Sequence, residues 1–220
     1  MTTMQSIFRS WQLSAELHSF NAPALIRDFK AFEEEAGWRL PQEWRDFYAF
    51  SNGARLFSDN LIFGALSGGW RALIDGSERC RQSGWPVPAA LWIAGGNGEG
   101  DPFGLWRPGL TEETAPVVQM GQIFEPGCLA VAGRSLRVFL LIRTVYFLIA
   151  HAEEIDPAPA LDALGVAAAL RSSARRDAPW DAIARWADPA WQDGQDDPYA
   201  RRLTAKGVSR FLARPLQRPD

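Results

Sequence analysis

Cysteine and histidine are scarce: the 220-residue chain has two of each. Cys80 and Cys128 do not have the spacing of metal-binding pairs. Secreted domains of this size usually carry disulfides, so two distant cysteines read as buried thiols of a protein from a reducing compartment. His18 and His151 form no His-Glu-x-x-His run, and neither lies beside a cysteine or carboxylate at ligand spacing. No Gly-x-Ser-x-Gly elbow is present. These gaps remove the usual sequence signs of metal-dependent and nucleophilic hydrolysis. They leave a carboxylate pair assembled across the fold as the enzymatic option. The acid clusters at 33–35 and 153–156 read more simply as solvated helix faces.

Charge of one sign is lacking too. Basic residues number 23 and acidic 26, a net of -3, which gives no electrostatic reason to expect nucleic acid. The longest apolar run, "LRVFLLIRTVYFLIA" at 136–150, is interrupted by Arg137 and Arg143. It is shorter than the ~20 residues a bilayer span needs. The N-terminus shows no basic head followed by an apolar core and a cleavage site. The expectation is a cytoplasmic protein with neither a membrane nor a nucleic-acid partner, and no cofactor or metal.

What is abundant is apolar and aromatic. Hydrophobic residues make up 47% of the chain, enough for one substantial domain with an appendage. Leu25, Ile26, Phe29 and Phe32 recur at helical spacing over 23–36, with Pro23 in the first turn, Asn21 as cap and Gly37 as stop. A second helix enters at Leu40-Pro41, buries Trp44, Phe47 and Tyr48, and ends at Asn52-Gly53. The short spacing predicts a helical hairpin. Beyond Gly53, short apolar runs between turn residues predict strands in a meander, with "ALWIAGG", "DPFGLW" and "APVVQMG" the clearest. Residues 69–86, "GWRALIDGSERCRQSGWP", read as a helix or a loop over the sheet. Ser135 fits the cap of a long apolar helix with Leu136, Phe139, Leu140 and Val145 inward, and the β-branched and aromatic "TVYFLI" leaves a strand open for its last part. After His151, proline-broken helices are predicted near 159–175, 179–187 and 198–213.

The stretch "GGNGEGDPFGLW", Gly95 to Trp106, admits three readings. A Walker loop needs a terminal Gly-Lys-Ser/Thr, and a dinucleotide loop needs a third glycine where Asp101 or Phe103 stands. Asn97, Glu99 and Asp101 have the alternate spacing of a calcium loop, without its flanking helices and distal glutamate. The favoured reading is a glycine-permitted hairpin or bulge.

Motif order then carries a resemblance. Phe32-Glu33, "GWRLP" (Gly37 to Leu40-Pro41), "FYAFSNG" ending at Asn52-Gly53, "GGNGEGD" (Gly95, Gly96, Gly98, Gly100, Asp101) and "SLRVFL" follow one another as in the SUKH superfamily, which the chain resembles over roughly 20–150. The family includes a fungal regulator of cell-wall synthesis and many bacterial immunity proteins against polymorphic toxins. The resemblance implies an α+β fold: an N-terminal helical hairpin packed on a mixed, largely antiparallel sheet. It also implies signature residues with structural roles, Asp101 fixing its turn by side-chain bonds to backbone amides. On this reading 1–152 is the domain and 153–220 a mostly helical C-terminal extension docked on it. The extension and the long insert at about 64–90 depart from the family pattern.

The function so implied is non-enzymatic protein binding, chiefly neutralisation of a cognate toxin by stoichiometric contact. A regulatory scaffold is the alternative, and an enzyme with a dispersed site the minor one. The partner is a protein, with self-association also considered. Two sets of residues form the candidate partner face. Glu99, Asp101, Glu112, Glu113 and Glu125 would offer acidity to a basic toxin. Trp38, Trp70 and Trp85, beside glycines or in loops, would supply anchors. Trp44 and Trp92 read as core, and Trp180, Trp186 and Trp191 as docking residues of the tail.

Overall fold

The computed structural model describes residues 2–64, 69–121, 128–173, 179–188 and 203–212. Helix α1 (Met4–Leu13) opens the chain, capped by Thr3 and buried through Met4, Ile7, Phe8 and Trp11. Strand β1 (His18–Phe20) follows. Helix α2 (Ile26–Ala36) begins later than the apolar spacing predicts. Leu25 stays extended, and its N–H donates to Asp28 Oδ2 at 2.6 Å. Asn21 is not the cap, because its Nδ2 donates to the Asn52 carbonyl instead. Gly37 ends the helix in the left-handed region at φ 71°, where a Cβ would be strained. Helix α3 (Gln42–Phe50) completes the hairpin.

Seven strands form one sheet in chain order. They are β1, β2 (Ala54–Leu56), β3 (Leu61–Phe63), β4 (Leu91–Asn97), β5 (Pro102–Trp106), β6 (Val117–Met120) and β7 (Leu129–Gly133). Every pair among them is antiparallel. The sheet is therefore not mixed. Each strand pairs with its predecessor, and no crossover returns the chain in the same direction, as a parallel pair would require.

Side-chain alternation gives the sheet two buried faces. Leu56, Phe63, Phe103, Leu105 and Val117 point into the core shared with α1, α2, α3 and α5 (Leu136–Ala150). Ser135 caps α5 by accepting from the Val138 N–H. The opposite residues, Leu91, Ile93, Trp106, Val118, Met120 and Val131, pack with Cys80 of α4 (Arg71–Gln82). The ambiguous segment is thus a helix over the sheet. Ser77 Oγ pins it, donating to Leu91 O at 2.7 Å and accepting from Ile93 N–H at 3.0 Å.

The tail joins both layers. Helix α6 (Ala158–Ala163) packs on α1, and Ala160, Leu161, Leu164 and Val166 belong to the first core. The single helix predicted near 159–175 is two, because Gly165 turns at φ 72° before α7 (Ala168–Ser173). Helix α8 (Pro179–Ala187) brings Ile183 and Ala184 against α5. Leu203 bridges to Leu129 of β7, and α9 (Ala205–Leu212) places Val208 on the second face. Trp186 packs partly buried on the first core; the Trp180 side chain and Trp191 lie outside the described residues. Both cysteines are free thiols, Cys80 buried and Cys128 half-buried.

Candidate functional site

The signature residues are spent on the hairpin and its contact with the sheet. Phe32 is fully buried, meeting Trp38 edge-on at 4.9 Å between centroids. Glu33 Oε1 accepts from Arg45 Nη1 at 2.7 Å, tying α2 to α3. Leu40 is buried, and Pro41 is the N-cap of α3. Asn52 Oδ1 accepts from the Trp70 N–H at 2.9 Å. Gly53 turns at φ 116°, a conformation that side chains avoid.

The glycine loop is the β4–β5 turn. A Cβ on Gly95 would lie 1.9 Å from the Ile62 carbonyl oxygen of β3. Glycine is therefore required by the close approach of two strands rather than by a ligand. Gly98 donates its N–H to Asn60 O at 3.1 Å, and Gly100 sits at φ 92°. Asn97 bonds the turn's amides: its Oδ1 accepts from Glu99 N–H at 3.1 Å and Asp101 N–H at 2.8 Å. The Asp101 carbonyl accepts from Asn97 N–H at 3.0 Å. Among the described residues no group of three or more His, Cys, Asp or Glu is placed to hold a metal ion.

The acids of the candidate face do not come together. Glu99 and Asp101 lie in the β4–β5 turn, whereas Glu112 and Glu113 lie in the β5–β6 loop. In a meander successive loops fall at opposite ends of the sheet. The five residues of β5 separate the two pairs by roughly 17 Å along the strand. Glu125 lies outside the described residues. Glu112 and Glu113 also serve the fold, since their carbonyls accept from Gln42 N–H and Glu43 N–H at 2.9 and 3.0 Å. They satisfy donors that the first turn of α3 leaves open. Glu43, which the sequence does not single out, joins three elements. Its Oε2 accepts from Thr114 Oγ1 and Arg137 N–H, at 2.9 and 3.1 Å.

The tryptophans divide as well. Trp85 is on the second face, lining an apolar cavity of about 230 Å³ between α4 and the sheet. Trp70 is buried near Phe32. Trp38 and Trp92, both half-buried, meet edge-on at 4.9 Å. Arg107 is exposed and holds its guanidinium carbon 5.9 Å from the Trp38 ring and 5.6 Å from the Trp92 ring. The ladder places it there: Leu91 pairs with Trp106, and Arg107 N–H donates to Ala90 O at 3.0 Å. Arg107 escapes a reading of single motifs because its neighbours come from other strands and helices. Trp92, expected in the core, is an edge residue of this cluster.

The structure also brings His18 close to a serine. His18 Nε2 lies 3.1 Å from Ser14 Oγ, which itself donates to Ser10 O at 3.0 Å. The pair is wired against nucleophile activation. His18 Nδ1 accepts the Phe57 N–H at 3.3 Å, so Nε2 carries the proton and donates to the serine. The imidazole has no free lone pair with which to take a proton from Ser14.

Burial, and secondarily the charge of His151, lowers the His18 pKa to about 4. In the unfolded chain imidazole titrates near 6.5. As pH falls below that value the unfolded chain binds a proton that the folded chain refuses. This contribution is full above pH ~6.5, declines toward pH ~4 and is constant below. Tm measured against pH should fall more steeply across that window for the parent protein than for His18→Gln. Parallel curves would show that His18 is not the titrating group.

The chain is thus an α+β domain in which an aromatic helical hairpin packs on an antiparallel sheet with a glycine-rich strand turn. A family model, the SMI1 / KNR4 family (SUKH-1), matches residues 23–141, and the chain belongs to this family. Comparisons with curated proteins and with solved structures returned no match. Among the described residues no helix is long and apolar enough to cross a membrane.

Proposed function

We propose that this chain is a non-enzymatic protein-binding domain of the cytoplasm. In this reading it is a bacterial immunity protein that neutralises a cognate toxin by stoichiometric contact. Family membership over residues 23–141 is the observation that carries it. Two further features support it. The signature residues hold the fold together instead of converging on a reacting centre, and the Ser14–His18 pair is polarised the wrong way for catalysis.

The test is co-expression with the toxin-like product of an adjacent gene, followed by size-exclusion chromatography and titration of toxin activity. The expected result is a complex of fixed stoichiometry, with activity lost at the equivalence point. Capture of a housekeeping protein with no effect on any toxin would replace this reading with a regulatory scaffold. Turnover of a substrate by the isolated chain would replace it with an enzyme.

A further inference from the structure

Among the described residues Arg107 makes no ion pair, and its guanidinium contacts are the faces of Trp38 and Trp92. The nearby arginines are already engaged. Arg71 lies over the Trp70 ring at 5.1 Å and reaches Glu35 at 3.4 Å. Arg39 is 68% exposed and shares Glu33 with Arg45. The indole N–H of Trp38 is buried with no acceptor among the described residues. A planar cation immobilised on two indoles has already lost most of its rotamer freedom, so a carboxylate docking on it costs less entropy than docking on a mobile lysine. Tryptophan and arginine are also the side chains that dominate binding energy at protein interfaces.

We infer that Arg107, seated on Trp38 and Trp92, is the centre of a docking surface for an acidic segment of a protein partner, whose carboxylate pairs with the guanidinium. The inference rests on the protein-binding reading and gives its partner a chemistry opposite to that expected from the scattered glutamates. A protein segment fits better than nucleic acid. One carboxylate needs only the single guanidinium of Arg107, whereas a phosphate track needs a row of cations, and Arg39, Arg45 and Arg71 are already paired with Glu33 and Glu35.

The test uses the full chain with ¹⁵N-labelled indoles, assigned by Trp→Phe variants. The probes are a capped peptide of alternating glutamate and glycine, the same peptide with glutamine, and oligothymidylate. The glutamate peptide should shift the Trp38 and Trp92 indole signals saturably while leaving buried Trp11 and Trp44 in place. The shift should weaken as salt is raised. Arg107→Gln should weaken binding about tenfold or more, and Arg107→Lys by less, because charge survives but the planar fork does not. Tm should be nearly unchanged in both variants, since the side chain is exposed.

Three results would overturn the inference: no shift with the glutamate peptide, equal shifts with the glutamine peptide, or equal binding by Arg107→Gln. Tighter binding of oligothymidylate at the same indoles would assign the surface to nucleic acid instead. No toxin enters this experiment. A protein that neutralises its toxin but ignores the peptide would keep the immunity reading and lose this one, and the converse would do the reverse.

Discussion

Gly95→Ala should cost about 3 kcal/mol or more and leave little folded protein at 37 °C. The new methyl carbon would stand 1.9 Å from the Ile62 carbonyl oxygen and 3.0 Å from Phe103 Cζ. Phe103 can shift its ring, but the carbonyl is backbone and belongs to the pairing of β3 with β4. Relief requires the two strands to separate, which removes ladder hydrogen bonds worth ~1 kcal/mol each. The adjacent Gly96 supplies the control. Its Cβ would meet Asp101 O at 3.4 Å, an ordinary contact, so Gly96→Ala should stay within ~0.5 kcal/mol of the parent. Urea midpoints of the two variants decide the matter. Equal midpoints would mean that the strands do not approach as closely as described.

Trp11→Ala should be comparably severe, at about 3–5 kcal/mol. Trp11 is fully buried against Phe8, Phe47 and Phe50, and its indole N–H donates to Thr144 Oγ1 at 3.0 Å. Removing the side chain empties the joint between α1, α3 and α5. Trp11→Phe keeps most of the volume and deletes the donor, and should cost ~1–3 kcal/mol. The comparison tests whether α1 belongs to the same cooperative unit as the rest, although it lies outside the span matched to the family. A Trp11→Ala protein that unfolds with an unchanged midpoint would show α1 to be an ornament.

The hairpin, the β4–β5 turn and α5 were legible because their signals are local. Gly37, Asn52-Gly53 and Ser135 mark ends, and apolar spacing marks faces. Helix α1 carried the same kind of signal, with Thr3 before Met4, Ile7, Phe8 and Trp11. It packs mainly on α6, far along the chain, so no neighbouring segment marks it as part of the domain. The bonds from Asn97 to the turn amides depend on a side-chain geometry that composition does not carry. The acids failed as a single face for a topological reason: alternate connections of a meander project from opposite ends. Arg107 with its two tryptophans, and His18 with Ser14 and Phe57, are products of register. A single sequence holds no local trace of either.

The Trp11–Thr144 bond spans 133 residues of chain, and Thr2 Oγ1 reaches the Leu164 carbonyl across 162. On the ribosome the sheet can pair strand by strand as it emerges, because each strand joins its immediate predecessor. Helix α3 covers part of the α1 face early, but α5 and α6, which cover the rest, are translated much later. At ~5–20 residues per second the wait is about 7–27 s. During that interval the part of the α1 face that α5 and α6 cover is open to solvent or to a chaperone. The uncovered face of α1 is thus a point at which the newborn chain is prone to aggregate, and slowing translation before residue 136 should lengthen that exposure.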